Sequence, residues 1–241
     1  MNNNTILVLG GLVGFLLGVI QSFPNIKRIV QIHRTASFSL DASSEENVRE
    51  ITGRAASGSY NIHSPLTQTP CVFWHAQIQE QRSSGENSYW ETIFDETSIH
   101  PFNITDVENG TGTYTIYPSN AELLLRVDTF QGSEENVSLE PKIMKAIKQL
   151  PISPFGPLGL TKPLRMSEQM IKTDEMIYIL GKLVDKGGVR VISSPQDGSP
   201  FLISDRSQHA VLAMLYWRVL VSAFLLACLG VFLAYFVIHQ Q

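Results

Sequence analysis

The chain has 241 residues, 44% of them hydrophobic, with 18 Lys and Arg against 22 Asp and Glu and a net charge of −4. That balance, with no Lys/Arg cluster, excludes the electrostatic footprint of a nucleic-acid binder, and two cysteines exclude a disulfide framework. The apolar residues are spread unevenly and concentrate in two blocks near the ends.

The first block, residues 5–23 (TILVLGGLVGFLLGVIQSF), holds no charge over 19 positions. A bilayer core about 30 Å thick needs ~20 apolar helical residues. The preceding MNNNT has no basic residue and Phe23-Pro24-Asn25 makes a poor cleavage site, so the block reads as an uncleaved anchor rather than a signal peptide. Gly10, Gly14 and Gly18 stand four apart on one helical face. This small-xxx-small spacing lets a second helix approach closely.

From Pro24 the chain turns basic, with Lys27, Arg28, His33 and Arg34. A polar stretch follows, with a helix or turn expected around Ser43 to Glu46, and then a strand over Glu50 to Ala55. Next comes SPLTQTPCVFWHAQIQEQ, residues 64–81, which raises the main chemical question. Cys71 lies between His63 and His75, so it is either a thiol nucleophile or a cysteine in a buried strand. Read as one alternating strand, the stretch puts Val72, Trp74, Ala76 and Ile78 on one face and Cys71, Phe73, His75, Gln77 and Gln79 on the other. Four residues of extended chain separate Cys71 from His75 by roughly 13 Å, too far for a proton transfer. No glycine-rich or helix N-terminal context lowers the thiol's pKa, and free cysteine is commonly buried. The expectation is a buried strand cysteine.

Downstream, RSSGEN (82–87) reads as a hairpin connection and YWETIF (89–94) as its return strand. Short strands follow at Pro101 to Thr105, Thr113 to Tyr117 and Ala121 to Val127. Residues 131–174 read as loop and irregular chain, with one short helix over Pro141 to Leu150. Within them PISPFGPLGLTKP (151–163) holds four prolines and reads as a flap and candidate partner contact. EMIYILGKLV (175–184) and VRVI (189–192) form a hairpin around DKGG, PFLISD gives a last strand, and Ser207 opens a helix. That helix runs into the second apolar block, uncharged from Val219 to Ile238, with Tyr216, Trp217 and Arg218 at one end and Tyr235 and His239 at the other. Ala223/Ala227 and Gly230/Ala234 repeat the small-residue spacing, so the two spans are expected to pair within a chain or between chains.

A search for chemistry is otherwise empty. The six histidines make no HxxxH pattern, and CxxC, GxGxxG and GxxxxGK[ST] are absent. The expectation is no catalytic residue, no metal ligand and no cofactor. Asn103, Asn109 and Asn136 match the glycosylation acceptor pattern, which arises often by chance in a chain of this composition.

The order of segments and their markers resembles the GIDE, or beside-a-membrane, domain of mitochondrial and chloroplast RING ubiquitin ligases and their prokaryotic relatives. The residues that carry the likeness are Ser64, Pro65, Leu66 and Thr67; Pro70, Cys71 and Val72; Gly181; and Phe201 to Ser207, including Ser204 and Asp205. The resemblance implies a membrane-anchored domain that senses or binds partners. In the ligases a RING finger follows the second span; here the sequence reaches Gln241 without one, so ligase activity is not expected to transfer. The fold class expected is membrane-anchored α+β. A β-rich domain with a few short helices, residues 24–206, lies between transmembrane helices at 5–23 and 213–238.

The function expected is a non-enzymatic binding or sensor module beside the bilayer. The alternative is a membrane enzyme, ligase-like or a hydrolase using Cys71. Expected partners are the lipid bilayer, an unidentified protein or peptide, and a second copy through the helices, with no nucleic acid. Two spans put both termini on one side. Lys27, Arg28, Arg34, Arg206 and Arg218 flank them on the domain side, which favours a cytoplasmic domain, whereas the mitochondrial relatives hold theirs in the intermembrane space.

Overall fold

The computed structural model describes residues 13–18, 20, 22–38, 48–84, 87–106, 112–132, 141–155 and 162–239. Gly10, the Ser43–Glu46 turn, Asn109 and Asn136 lie outside these. In chain order the elements are helix α1 (Phe23–Phe38), strands β1 (Val48–Ala56), β2 (Ile62–His63), β3 (Pro70–Cys71), β4 (Phe73–Ser84), β5 (Asn87–Thr97), β6 (Phe102–Asp106), β7 (Thr113–Ile116), β8 (Glu122–Leu124) and β9 (Thr129–Gly132), helix α2 (Pro141–Ile147), strands β10 (Leu164–Ile171), β11 (Met176–Lys186), β12 (Val189–Ser193) and β13 (Leu202–Ser204), and helix α3 (Gln208–His239).

Five strands close on themselves in the order β1-β6-β7-β12-β11, with β11 pairing back to β1. All neighbours are antiparallel except β7 and β12. The result is a small barrel of the strand number found in OB-folds. Its interior is filled by Phe102, Ile104, Tyr114, Ile116, Ile177, Ile179 and Ile192. β11 reads as an unbroken apolar run because it pairs β1, β12 and β13 and is buried on both faces from Ile177 to Gly181. Its hairpin to β12 turns at Gly187 and Gly188, both with positive φ, as the DKGG signal requires.

A second sheet, in the order β5-β4-β10-β9, projects from the barrel. Ala76, Ile78, Phe94, Leu164 and Met166 form its inner face, covered by Ile143 and Ile147 of α2 and by Leu66. Leu150 packs there too, as does Ile152, so the start of the proline-rich flap covers a core.

Two sequence expectations need correction. The alternation does not begin at Cys71. A bend at Val72 interrupts the chain between β3 and β4, and both Val72 and Phe73 turn into the barrel core. Phe73 meets Phe102 there, ring centroids 6.1 Å apart. The alternation of Trp74, Ala76 and Ile78 holds from that point. Residues 131–174, read as loop and one short helix, also supply β10, whose eight residues pair with both β4 and β9.

The helices belong to the same body. Ile29 and Ile32 of α1 and Val211 and Leu215 of α3 share a buried cluster with Leu124, Tyr178, Leu180 and Leu202 of the sheet. Arg28 adds an ion pair to Glu122 on β8. Gln208–Phe232 of α3 is long and apolar enough to cross a membrane, and 17% of its most apolar window is buried. A helix inside a soluble core would be mostly buried; this one exposes Leu220, Phe224, Leu225, Leu229 and Phe232.

Candidate functional site

The markers gather into three places. The first is a tight loop. β2 and β3 pair Ile62 with Cys71 and His63 with Pro70, and so close the segment Ser64–Thr69. Inside it, the Ser64 amide donates to the Thr69 carbonyl (2.9 Å), the Gln68 amide to the Ser64 carbonyl (3.1 Å) and the Thr69 amide to Ser64 Oγ (3.1 Å). Thr67 Oγ1 is 2.8 Å from Ser64 Oγ and 2.9 Å from Thr69 Oγ1. Gln68 takes a φ of +56° to complete the turn, and its side-chain amide donates to the Pro65 carbonyl at 3.1 Å.

The loop closes around a carboxylate. Glu168 of β10 points inward at a position where its neighbours Met166 and Met170 are apolar, and it is 0% exposed. Its Oε1 accepts the Leu66 amide (2.8 Å); its Oε2 accepts the Thr67 amide (3.2 Å) and the Thr67 hydroxyl (2.5 Å). A buried polar group is tolerable only when its hydrogen bonds are made. Here SPLT supplies the donors and the second sheet supplies the acceptor, so the motif clamps the loop onto β10.

Cys71 follows directly and is buried. Burial, and then the Glu168 charge, push its thiol up to about 12, against a smaller opposing hydrogen bond from the Phe73 backbone. Roughly one thiol in 10⁵ is ionised at pH 7, the reverse of what a nucleophile needs. His75 is committed elsewhere. On the outward face of the second sheet its Nδ1 lies 3.0 Å from Gln169 Oε1 and its Nε2 2.9 Å from Asp95 Oδ1. That contact, followed by the Gln77 amide, holds the Asp95 carboxyl below its usual range.

The second place joins Gly181, Phe201, Ser204 and Asp205 at the seam of the barrel and α3. A Cβ on Gly181 would stand 2.8 Å from Ile192 Cγ2 and from the Phe201 ring, so the glycine makes room for that ring. Ser204 Oγ donates to the Leu124 carbonyl (2.9 Å) and accepts the Arg206 amide (3.1 Å). Asp205 Oδ2 accepts from the Arg126 amide (3.2 Å) and guanidinium (2.8 Å), a pairing that raises the pKa of Arg126. These contacts fasten β13 to β8 where α3 begins.

The third place is the helix seam. Gly14 lies against the backbone of Leu226 and Ala227, and a Cβ on Gly18 would stand 2.5 Å from Ala223 Cα. One turn further on, Ser22 Oγ and Ser222 Oγ share a hydrogen bond. Gly230 is half-buried further along the same helix as Ala234. Asn103, the one acceptor-pattern asparagine described, is held in β6 and accepts a hydrogen bond from Thr115 Oγ1 at 3.0 Å.

A family model for GIDE, described as E3 Ubiquitin ligase, matches residues 75–234, well over half of the chain. The chain belongs to the GIDE family. No curated protein and no solved structure matches it. The GIDE match runs from His75 on β4 into α3, so it takes in Glu168 and the Gly181–Asp205 seam, while the Ser64–Cys71 loop lies just before it. Glu168 is the residue that sequence reasoning missed. Its signal was an acid at an inward position of the alternating LRMSEQMI.

Proposed function

We propose that this GIDE-family chain is a two-span, membrane-seated binding module with no thiol chemistry of its own, which engages a protein or peptide partner beside the bilayer. The observation that carries the reading is the core shared by α1, α3, β8, β11 and β13, which makes domain and anchor one rigid body. A partner held by the domain is thereby held at a fixed height and orientation over the lipid. Both helices supply apolar exteriors: Val13, Phe15, Leu16, Leu17 and Ile20 on the N-terminal side, and Leu220 to Phe236 on α3. The flanking Lys27, Arg28, Arg34, Arg206 and Arg218 favour a cytoplasmic side for the domain.

The surface best suited to the partner is β5. It is eleven residues long and is an outer strand of its sheet among the described residues. An extended segment adds to such an edge through main-chain hydrogen bonds. The test is a photo-crosslinking amino acid at Thr92 or Glu96 in native membranes, with Ser199 as the control. The expected result is one shared adduct from the β5 positions, absent from the control and retained in Cys71→Ser. Loss of the adduct at both β5 positions, or loss of the cellular function in folded Cys71→Ser, would overturn the reading.

A further inference from the structure

Which main-chain groups β5 leaves open follows from the phase of the ladder beside it. One step beyond the His75–Thr97 pair, the Ser98 amide donates to the Trp74 carbonyl at 2.9 Å. On the other flank of β4, the Gln81 amide donates to the Pro163 carbonyl at 3.0 Å. Main-chain groups alternate sides along a strand, so the even-numbered residues of β4 bond β5 and the odd-numbered ones face β10. Phe94 and Glu96, opposite Ile78 and Ala76, therefore bond β4, whereas the amides and carbonyls of Asp95 and Thr97 point to the open edge. A bulge between Ile78 and Gln79 breaks the register and sets residues 94–97 apart as one short regular edge.

That edge is acidic. β5 holds Glu91, Asp95 and Glu96 and no Lys or Arg in eleven residues. The guanidinium groups near it gather at the other end of the strand, where Arg82 pairs with Glu91, and Arg165 donates to Gln79 and lies 4.6 Å over the Trp90 ring. At the 94–97 end, His75 Nε2 lies 2.9 Å from Asp95 Oδ1 and the Gln77 amide donates to Oδ2 at 3.0 Å, contacts that keep this half-exposed carboxylate ionised. Glu96 points to the opposite face, is exposed, and pairs with no cation among the described residues. Its main chain is turned to β4, so an added strand meets Glu96 in a pair without hydrogen bonds, the kind that brings opposite side chains closest. A second copy of the chain is a poor occupant, because β5 against β5 offers its acids no cation in any register.

We infer that this end of β5 receives a basic extended segment of another protein, added as a further strand with a Lys or Arg opposite Glu96 and a second cation beside Asp95. The inference rests on the β5 reading proposed above and adds the partner's charge to it. The Asp95 and Thr97 main chain supplies the hydrogen bonds, and the two acids select the sequence. Exposed charge pairs contribute modestly, so each acid is worth about threefold in affinity, and less at high salt.

The probe is a short labelled peptide of alternating threonine and valine with an adjacent lysine and arginine at its centre. Its counterparts carry two glutamines or two glutamates there, and a fourth peptide is the basic one N-methylated at alternate amides. Binding to the full chain in non-ionic detergent is followed by fluorescence anisotropy. The expected order is basic, then glutamine, then glutamate, with the steps shrinking as salt is added and no binding by the N-methylated peptide. In Asp95→Asn/Glu96→Gln the first three peptides should bind alike. Glu96→Lys alone, at an exposed position, should also remove the preference for the basic peptide, with an unchanged circular dichroism spectrum. Equal affinities for the unsubstituted chain overturn the basic preference and leave β5 standing as a docking edge. A preference that survives both variants places the acidic site elsewhere and overturns the inference, as does undiminished binding of the N-methylated peptide. Failure of all the peptides to bind overturns the inference together with the reading of β5 as a docking edge.

Discussion

Replacing Glu168 with Gln removes one charge and almost no volume, which isolates the carboxylate's part in holding the Ser64–Thr69 loop. In the native protein its two oxygens accept three hydrogen bonds from Leu66 and Thr67 with no solvent contact. A glutamine keeps one oxygen and brings an NH₂ to face a donor. If the oxygen stays with Thr67, the Leu66 amide loses its acceptor and meets a second donor. Hydrogen bonds to charged groups contribute about 1.5–3 kcal/mol, and an orphaned buried donor costs a further ~1–3 kcal/mol. The two surviving bonds also weaken, because their acceptor is now neutral. A loss of about 3–5 kcal/mol is expected. At roughly 2–4 °C per kcal/mol for a chain of this size, the thermal midpoint should fall by about 6–20 °C. The assay is near-ultraviolet circular dichroism of the detergent-solubilised chain during heating, with Ser167→Ala as a neighbouring outward-facing control expected to change little. A midpoint within 1 °C of the unsubstituted protein would refute the reasoning, because it would mean that the loop does not depend on a charged acceptor.

Further outcomes follow from the same geometry. Cys71 should resist iodoacetamide in the folded Cys228→Ala protein and react only on unfolding; rapid native alkylation would restore the nucleophile. Because its folded pKa is raised from 9.0 to about 12, the stability that depends on the neutral thiol is fully present below pH 9 and lost as pH rises toward 12. Cys71→Ala should cost ~1–3 kcal/mol at neutral pH yet show a shallower alkaline decline, and parallel curves would contradict the assignment. Gly181→Ala drives a methyl into Ile192 and Phe201 and should cost about 1–3 kcal/mol by chemical denaturation; a neutral result would mean that the seam yields more readily than the contacts imply. Cysteines at positions 22 and 222 should form a disulfide under mild oxidation, and Gly18→Leu should abolish it by pushing Ala223 away, whereas unchanged cross-linking would show that the glycines do not set the helix spacing.

Where local rules decided the structure, the sequence was readable. The DKGG hairpin, the TYTI strand and the β4–β5 ribbon all show alternation bounded by turn residues, and α3 begins where Ser207 predicts a cap, with the Ser207 carbonyl accepting the Val211 amide at 3.0 Å. β10 was unreadable because a carboxylate interrupts its inward positions between Leu164 and Met166 on one side and Met170 on the other. An acid at an inward slot looks like a surface residue until the donors of a loop a hundred positions away are known. The break at Val72 was hidden for a related reason. Val72 and Phe73 are both apolar, and only the barrel's demand for both side chains shows that alternation has failed there. The role of Lys27 to Arg34 was also obscured. Pro24 and a run of basic residues suggest the start of a soluble domain, yet Ile29 and Ile32 make that segment a helix packed on β11 and β13. The Ser64–Thr67 motif was visible as a marker, but its task depends on Glu168.

The central claim is a rigid domain seated by two spans, and vectorial cysteine labelling tests it most directly. Single cysteines are placed at Asn3, Ser83 and Gln240 in a Cys71→Ala/Cys228→Ala background, and intact cells and lysates are treated with a membrane-impermeant maleimide. The account predicts labelling of Asn3 and Gln240 in intact cells and of Ser83 only after lysis. Labelling of Asn3 together with Ser83 on one side, opposite Gln240, would contradict it, because the N-terminal helix would then not cross the bilayer.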